Sequence, residues 1–206
     1  MSEPRRIWLV RHGETEGQSS IRYHGSNDVP LSDVGRAQIR ALAPWLQGVD
    51  FAHVVHSPLS RAAESAAILA TACGIAPQRL RRDDRLREFS FGHCEGMTIE
   101  EIEAAFPEWW RDNQVGRTDG YPGGEKRVDF AARVAAAMRD LASEPWHRDL
   151  LVVVHRGTVR QAVRTLLGFP PGSKDPFAVE LGSLTVLRED AAAAAWQLEL
   201  LGALPE

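Results

Sequence analysis

The stretch IWLVRHGETEG, residues 7–17, joins an unbroken apolar run to two basic side chains. The run from Ile7 to Val10 does not alternate polar with apolar residues, which is typical of a central parallel strand buried on both faces. Arg11 and His12 follow it, at the carboxyl end of the predicted strand. In open α/β sheets this end faces the ligand crevice, so the placement favours a binding site over a strand that simply reaches the surface.

The composition fits one ordinary globular domain. A chain of 206 residues, 44% hydrophobic and 25% charged, can build one sizeable core, so we expect a single domain over residues 1–206. The net charge of -4 gives no general attraction to nucleic acid or to anionic membranes, and any basic site must be local. Cys73 and Cys94 form no disulfide pattern, and neither a secretory signal nor a membrane span is visible. We therefore expect a cytoplasmic protein.

Apolar runs alternate with amphipathic segments along the chain. FAHVVHS (51–57) and DLLVVVHRG (149–157) predict two further buried strands, and FAVEL, SLTVLRE and AWQLELL predict shorter strands within 177–200. Helical patterns cover 32–47, 59–73, 124–142 and 158–167. This alternation predicts an α/β three-layer sandwich, with a mostly parallel central sheet and helices on both faces.

The stretch 97–123 interrupts that rhythm. It predicts two short helices around Phe106 and Pro107, followed by a glycine-rich charged loop, as in an insertion that covers a crevice like a lid. Trp109 and Trp110 in this segment either stack on a substrate or anchor a helix on the core, and the second interpretation is favoured.

Four polar clusters fall at predicted carboxyl ends of strands or in the turns that follow. They are Arg11 with His12, the segment Ser57 to Arg61, Glu88, and His155. The arginine fork matches phosphate oxygens, and an imidazole can donate to an oxygen or attack phosphorus. The set therefore predicts a receptor for a phosphoryl group.

Several segments in order resemble the histidine phosphatase (phosphoglycerate mutase-like) superfamily, phosphatase branch, over nearly the whole chain. The segments are LVRHGET, YHGSNDVPLSDVGRAQ (23–38), SPLSRAAESA (57–66), LREFSFGHCEG (86–96), PGGE (122–125) and VVVHRGTVR (152–160). The resemblance implies a phosphoglycerate mutase-like fold and phosphoryl transfer through a phosphohistidine, with no metal and no other cofactor.

The resemblance also implies a role for each catalytic residue. His12 would attack phosphorus as a neutral imidazole, while Arg11, Arg61 and His155 bind the phosphoryl oxygens. Glu88 would give a proton to the leaving alkoxide and later take one from water, and it must start protonated. Glu95 competes with Glu88 for this role.

Substrate contacts are expected from Arg11, Arg61, His24, Gly25, Gln18 and Arg156. The last two depart from the family pattern, which commonly has asparagine at position 18 and a small residue at position 156. Gln18 can still donate an amide hydrogen bond. Arg156 adds a charge at the rim, where it either selects a second anionic group or points to solvent, the second being slightly favoured.

His53 and His56 suggest an HxxH metal pair, but in a strand they point to opposite faces, which favours structural roles. The leading interpretation is a metal-independent phosphatase acting on a small phosphate ester, without nucleic acid or membrane partners, and a homodimer stays open. The alternatives are a phosphoglycerate mutase and a weakly active module that binds phosphorylated ligands. The mutase is disfavoured because mutases of the family carry arginine and tyrosine where Phe89 and Phe91 stand.

Overall fold

A computed structural model describes residues 4–145, 148–170, 177–190 and 192–205. One six-stranded sheet lies at its centre, with the strand order β3-β2-β4-β1-β5-β6. The strands are β1 (Arg6–Arg11), β2 (Phe51–His56), β3 (Leu80–Arg82), β4 (Asp149–Val154), β5 (Leu184–Asp190) and β6 (Ala195–Ala203). The pairs within β3, β2, β4 and β1 are parallel, and β5 pairs antiparallel with both β1 and β6. The sheet is therefore mostly parallel, as predicted.

Helices cover both faces of the sheet. They are α1 (Asp33–Ala41), α2 (Ala43–Leu46), α3 (Ser60–Ala72), α4 (Ile99–Ala105), α5 (Pro107–Gln114), α6 (Arg127–Ser143) and α7 (Arg156–Leu166). Side chains of α1, α2 and α3 form a core on one face, and side chains of α6 and α7 form a second core on the other. The three-layer α/β sandwich is thereby confirmed.

The central strand β4 explains why the apolar runs are unbroken. Leu150, Val152 and Val154 belong to the core under α6 and α7, whereas Leu151 and Val153 belong to the core under α1 and α3. Both faces of the strand exclude water, so every position favours an apolar side chain.

The sequence predictions were wrong in several details. The strand β3 was missed, because its residues Leu-Arg-Arg at the sheet edge form no apolar run. FAVEL (177–181) forms no strand in the structure. Its Val179 carbonyl instead accepts a hydrogen bond from the Arg11 side chain. The helix predicted over 32–47 is divided at Leu42, shortly before Pro44, which cannot donate a backbone hydrogen bond.

The segment 97–123 contains two short helices, α4 and α5, as predicted. Thr98 and Glu101 form a capping box at the start of α4, and Pro107 begins α5 directly after Phe106. Trp109 donates from Nε1 to the Gly120 carbonyl at 3.0 Å and contacts the Tyr121 ring, which ties the loop to α5.

No helix within the described part of the chain has the length and apolar character needed to cross a bilayer.

The buried strands should dominate the stability of the fold. We expect Leu9→Ala to lower the free energy of unfolding by about 2–5 kcal/mol, because the Leu9 side chain is fully buried and its loss leaves a cavity. Leu198→Ala on the edge strand β6 is the matched control, since that side chain is 37% exposed, and it should cost far less. Urea unfolding of both variants checks this, and equal losses would contradict it.

Candidate active site

The candidate site forms where β1 and β4 end side by side. The backbone N–H of Arg11 donates to the Ser183 carbonyl at 3.1 Å, and that of His12 donates to the Val154 carbonyl at 3.0 Å. His155 follows β4 directly and precedes α7. Because β1 and β4 are parallel neighbours, the rings of His12 and His155 come to lie with their centroids 5.1 Å apart.

His12 is buried and held in one orientation. Its Nδ1 lies 2.7 Å from the Gly13 carbonyl, an acceptor, so this nitrogen carries the ring proton of the neutral form. The Nε2 lone pair then faces the guanidinium of Arg61. Burial, followed by the charges of Arg61 and Arg11, holds the pKa of His12 well below its usual value. The ring is therefore neutral at pH 7, with an unprotonated lone pair on Nε2.

Arg61 lies in the first turn of α3 with only 2% of its surface exposed. It donates from Nη1 to the Asn27 carbonyl at 2.7 Å, from Nη2 to the Gly25 carbonyl at 2.6 Å, and from Nε to His12 Nε2 at 3.3 Å. Burial lowers its pKa. Two carbonyls thus fix the guanidinium against the imidazole.

Arg11 contributes a second buried cation. Its Nη1 donates to the Val179 carbonyl at 2.7 Å, but its buried Nε has no hydrogen-bond partner within the described residues. Burial lowers the pKa of Arg11 to about 10, so the side chain stays charged at neutral pH.

His155 supplies a similar donor. Its Nε2 lies 2.6 Å from Ser57 Oγ, and among the residues that the structure describes this nitrogen is the only acceptor for the Ser57 hydroxyl proton. The neutral ring then carries its proton on Nδ1. This atom is buried and also lacks a partner in the part of the chain that the structure describes. Burial, then Arg61, His12 and Arg11, lowers the pKa of His155 well below its usual value.

Glu88 lies at the boundary between this buried cluster and an open cleft. Its carboxylate accepts the backbone N–H groups of Phe89 and Gly157, each at 2.9 Å. A Cβ on residue 157 would lie 2.6 Å from Glu88 Oε1, so the close approach requires glycine there. Glu88 is 9% exposed and is the member of the cluster that faces the cleft.

Glu95 serves a different purpose from Glu88. One of its oxygens accepts the backbone N–H and the hydroxyl of Ser26 and also bonds Ser90 and the Phe91 backbone N–H, at 2.6–3.1 Å. It therefore joins two loops, whereas Glu88 bonds the backbone of Gly157, two residues after His155. Gly25, with φ +53, lies at this junction, where a Cβ would meet Glu95 Oε1 and the Phe91 ring at 2.7 Å.

Arg133 of α6 was missed by the sequence analysis. Its guanidinium donates to the carbonyls of Arg85, Arg87 and Glu88 at 2.7–3.1 Å and pairs with Glu125 at 2.7 Å. It thus fixes the backbone that carries Glu88. The available signal was Glu125, in the PGGE segment that carries part of the family resemblance, since this half-buried carboxylate pairs with Arg133.

The remaining predicted contacts lie around the cluster. His24 Nε2 lies 2.5 Å from the carbonyl oxygen of Gly17, within hydrogen-bond distance. Burial lowers the pKa of His24. Gln18 is exposed, with φ +59, and the structure does not bring its side chain into the buried cluster. Arg156 is exposed at the first position of α7 and lines the cleft.

The cleft has a volume of about 1050 Å³ and runs from Glu88 between α6 and α7. Five arginines and several aromatic rings line it, among them Phe89, Phe91 and Tyr121. Neither Trp109 nor Trp110 lines it, which supports the anchoring role for Trp109.

The described residues do not gather metal ligands into one place. Among residues 4–145, 148–170, 177–190 and 192–205, no three or more His, Cys, Asp or Glu side chains form a group that could hold a metal ion. His53 and His56 each face a backbone carbonyl, that of Arg79 and that of Ser57.

Comparison with known proteins agrees with this geometry. The sequence model of the histidine phosphatase superfamily (branch 1) matches residues 7–202. A probable phosphoglycerate mutase, GpmB, of Yersinia enterocolitica is 34% identical over 167 residues, which are 80% of this chain and 76% of that protein.

Two solved structures share the fold. A mycobacterial glucosyl-3-phosphoglycerate phosphatase superposes with a TM-score of 0.84 and 31% identity, covering 97% of this chain and 99% of that one. The alpha-ribazole phosphatase of Shigella flexneri superposes with a TM-score of 0.85 and 25% identity, covering 96% of each chain.

The two buried histidines should make the fold sensitive to mild acid. Their pKa values lie below the ordinary 6.5, so the unfolded chain binds protons first. The two histidines therefore leave the free energy of unfolding unreduced above pH 6.5. Below that pH the free energy of unfolding falls by at most about 1.4 kcal/mol per pH unit for each histidine. Urea unfolding between pH 7.5 and 5.5 checks this. His155→Gln should reduce the slope, and a slope equal to that of the unsubstituted protein would contradict the assignment.

Proposed function

This chain belongs to the histidine phosphatase superfamily, and from that premise we propose that it hydrolyses small phosphomonoesters through a phosphohistidine on His12, without a metal. The observation that carries the proposal is a pair of buried donors, Arg11 Nε and His155 Nδ1, which have no partner among the described residues and lie beside a neutral imidazole. Buried donors without acceptors are costly, and a phosphoryl group would supply acceptor oxygens to both.

In the proposed first step, His12 Nε2 uses its lone pair to form a bond to phosphorus, while the bond from phosphorus to the ester oxygen breaks. Arg61 Nε donates a hydrogen bond to that lone pair in this structure. When substrate binds, the same N–H would donate to a phosphoryl oxygen instead. Arg11, Arg61 and His155 would then hold the charge on the oxygens, the task that a metal ion performs in many phosphotransferases.

Glu88 is proposed to handle the proton. As an acid it would protonate the departing alkoxide, and as a carboxylate it would then take a proton from the water that attacks the phosphohistidine, releasing inorganic phosphate and restoring His12. The backbone N–H groups of Phe89 and Gly157 hold its carboxyl group in place. Its position where the cleft meets the buried cluster suits both roles.

The substrate is proposed to be a small phosphorylated metabolite in the cytoplasm, and neither nucleic acid nor a membrane is required. The similar structures are named as phosphatases of glucosyl-3-phosphoglycerate and alpha-ribazole phosphate type, which supports a small-molecule ester. His24, Gly25, Gln18 and Arg156 are proposed to complete the substrate contacts.

A phosphoglycerate mutase is the second candidate, because the similar GpmB protein carries that name. Phe89 and Phe91 argue against it, since they pack edge to face at 5.3 Å and, with Tyr121, form an aromatic wall of the cleft. Phenylalanine cannot donate a hydrogen bond to a carboxylate or phosphate, so these two positions cannot hold an anionic intermediate.

The nucleophile can be tested by trapping. Rapid quench with labelled substrate in the presence of EDTA should give an acid-labile, base-stable phosphoenzyme, because phosphohistidine has that stability and the arginines replace a metal. The label should be absent in His12→Ala and present in the control His53→Gln. Label surviving in His12→Ala, or its loss on chelation with recovery by magnesium, would overturn the proposal.

The role of Glu88 predicts a dependence on the leaving group. Glu88→Gln should reduce hydrolysis of glycerol 3-phosphate by about 100-fold or more, but that of p-nitrophenyl phosphate by less than about tenfold, because the acidic phenolate leaves without a proton. Glu95→Gln is the matched control. It should lower both rates equally, because Glu95 holds two loops together and is not expected to protonate the leaving group. Equal losses in Glu88→Gln would assign it a structural role.

The mutase alternative is decided by one assay. With 3-phosphoglycerate and catalytic 2,3-bisphosphoglycerate, we expect release of inorganic phosphate to exceed formation of 2-phosphoglycerate, because the Phe89 and Phe91 wall offers no anion donors. Isomerisation faster than phosphate release would establish the mutase. Failure to turn over any phosphate ester would favour a binding module.

A further inference from the structure

Two rows of side chains, spaced four residues apart on α6 and on α7, border the cleft beside Glu88. On α6 the row is Arg127, Ala131, Ala135 and Arg139, and on α7 it is Arg156, Arg160 and Arg164. Residues four apart lie on one face of a helix, so each row presents its side chains to the same groove. We call this groove the arginine cleft.

The charge of the arginine cleft is opposite to that of the chain. The chain carries a net charge of -4, yet among the residues that the structure describes five arginines line the cleft against the two carboxylates Glu88 and Asp119. Like charges four residues apart repel each other, so attraction between neighbouring members does not explain the row on α7. Arg156 and Arg139 form no hydrogen bond or ion pair with residues that the structure describes.

The arginine cleft also has room for more than a phosphoryl group. Its α6 wall is built of small side chains, Ala131, Ala132 and Ala135, and the aromatic rings of Phe89 and Phe130 lie near its inner end. At about 1050 Å³ it has the size of a small-molecule site. A sugar or a similar group could lie between the aromatic rings and the alanines.

We propose that the arginine cleft binds a second anionic group of the substrate, a carboxylate or a phosphate, through Arg156, Arg160 and Arg164. This inference rests on the proposed phosphatase function and names its substrate class. A helix rises 1.5 Å per residue, so Arg160 and Arg164 lie about 8 and 14 Å beyond His155 along α7. The substrate is then a phosphomonoester whose second anion is separated from the ester by a group of sugar size.

A matched series of esters tests the inference. The probes are phosphonooxyalkanoates with three, six and nine carbons, each compared with its own methyl ester, and the six-carbon phosphate with a terminal phosphonate. The ratio of kcat/KM for the acid over its methyl ester should reach about tenfold at six or nine carbons and stay near one at three. The phosphonate arm shows whether phosphate-like or carboxylate ends are preferred.

Variants locate the effect. Arg160→Gln should reduce the acid-to-methyl-ester ratio of kcat/KM for the six-carbon probe about tenfold, mainly by raising KM for the acid. In the unsubstituted protein, 0.5 M salt should also reduce this ratio, because salt screens the attraction between the arginines and the second anion. Arg40→Gln is the matched control: Arg40 is an exposed arginine in the last turn of α1, on the opposite face of the sheet, and its loss should leave the ratio unchanged.

The outcomes separate the two proposals. If the methyl esters are hydrolysed but the acids show no advantage, or if Arg160→Gln leaves the ratio unchanged, the second-anion site is overturned and the phosphatase stands. If no ester in the series and no p-nitrophenyl phosphate is hydrolysed, the phosphatase proposal itself fails.

Discussion

The hydrogen bond between His12 Nδ1 and the Gly13 carbonyl is the constraint on which the site depends. It fixes the ring proton on one nitrogen and leaves a lone pair on the other. Burial and two neighbouring arginines keep the ring from taking a second proton, so Nε2 keeps its lone pair at neutral pH. The same burial that costs stability in acid therefore keeps the proposed nucleophile unprotonated.

The sheet supplies the position of that nitrogen. β1 and β4 run parallel with both faces covered by helices, and their carboxyl ends deliver His12 and His155 as neighbours. Backbone carbonyls of Gly25, Asn27 and Val179 then hold the two arginines without neutralising their charge. Carbonyl oxygens orient a guanidinium while leaving its positive charge for an anion, which a carboxylate partner would not do.

The loop that carries Glu88 is fixed from outside the cluster. Arg133, paired with Glu125, binds three carbonyls of that loop, those of Arg85, Arg87 and Glu88, and Glu95 ties the following turn to Ser26. These contacts fix an irregular segment, because its backbone acceptors have a charged partner. The proposed general acid needs such support, since its proton must lie within hydrogen-bond reach of the leaving oxygen.

The sequence by itself determined the layered α/β fold, because buried strands between helices appear as apolar runs that can be recognised within short windows of sequence. The resemblance of its motifs also selected Arg11, His12, Arg61, Glu88 and His155. Only the tertiary structure decided the tautomers of the histidines, the different contacts of Glu88 and Glu95, the clamp by Arg133, and the short strand β3. The arginine cleft likewise exists only where α6 and α7 face each other. All of these depend on contacts between residues distant along the chain, and such contacts leave no periodic pattern in the sequence.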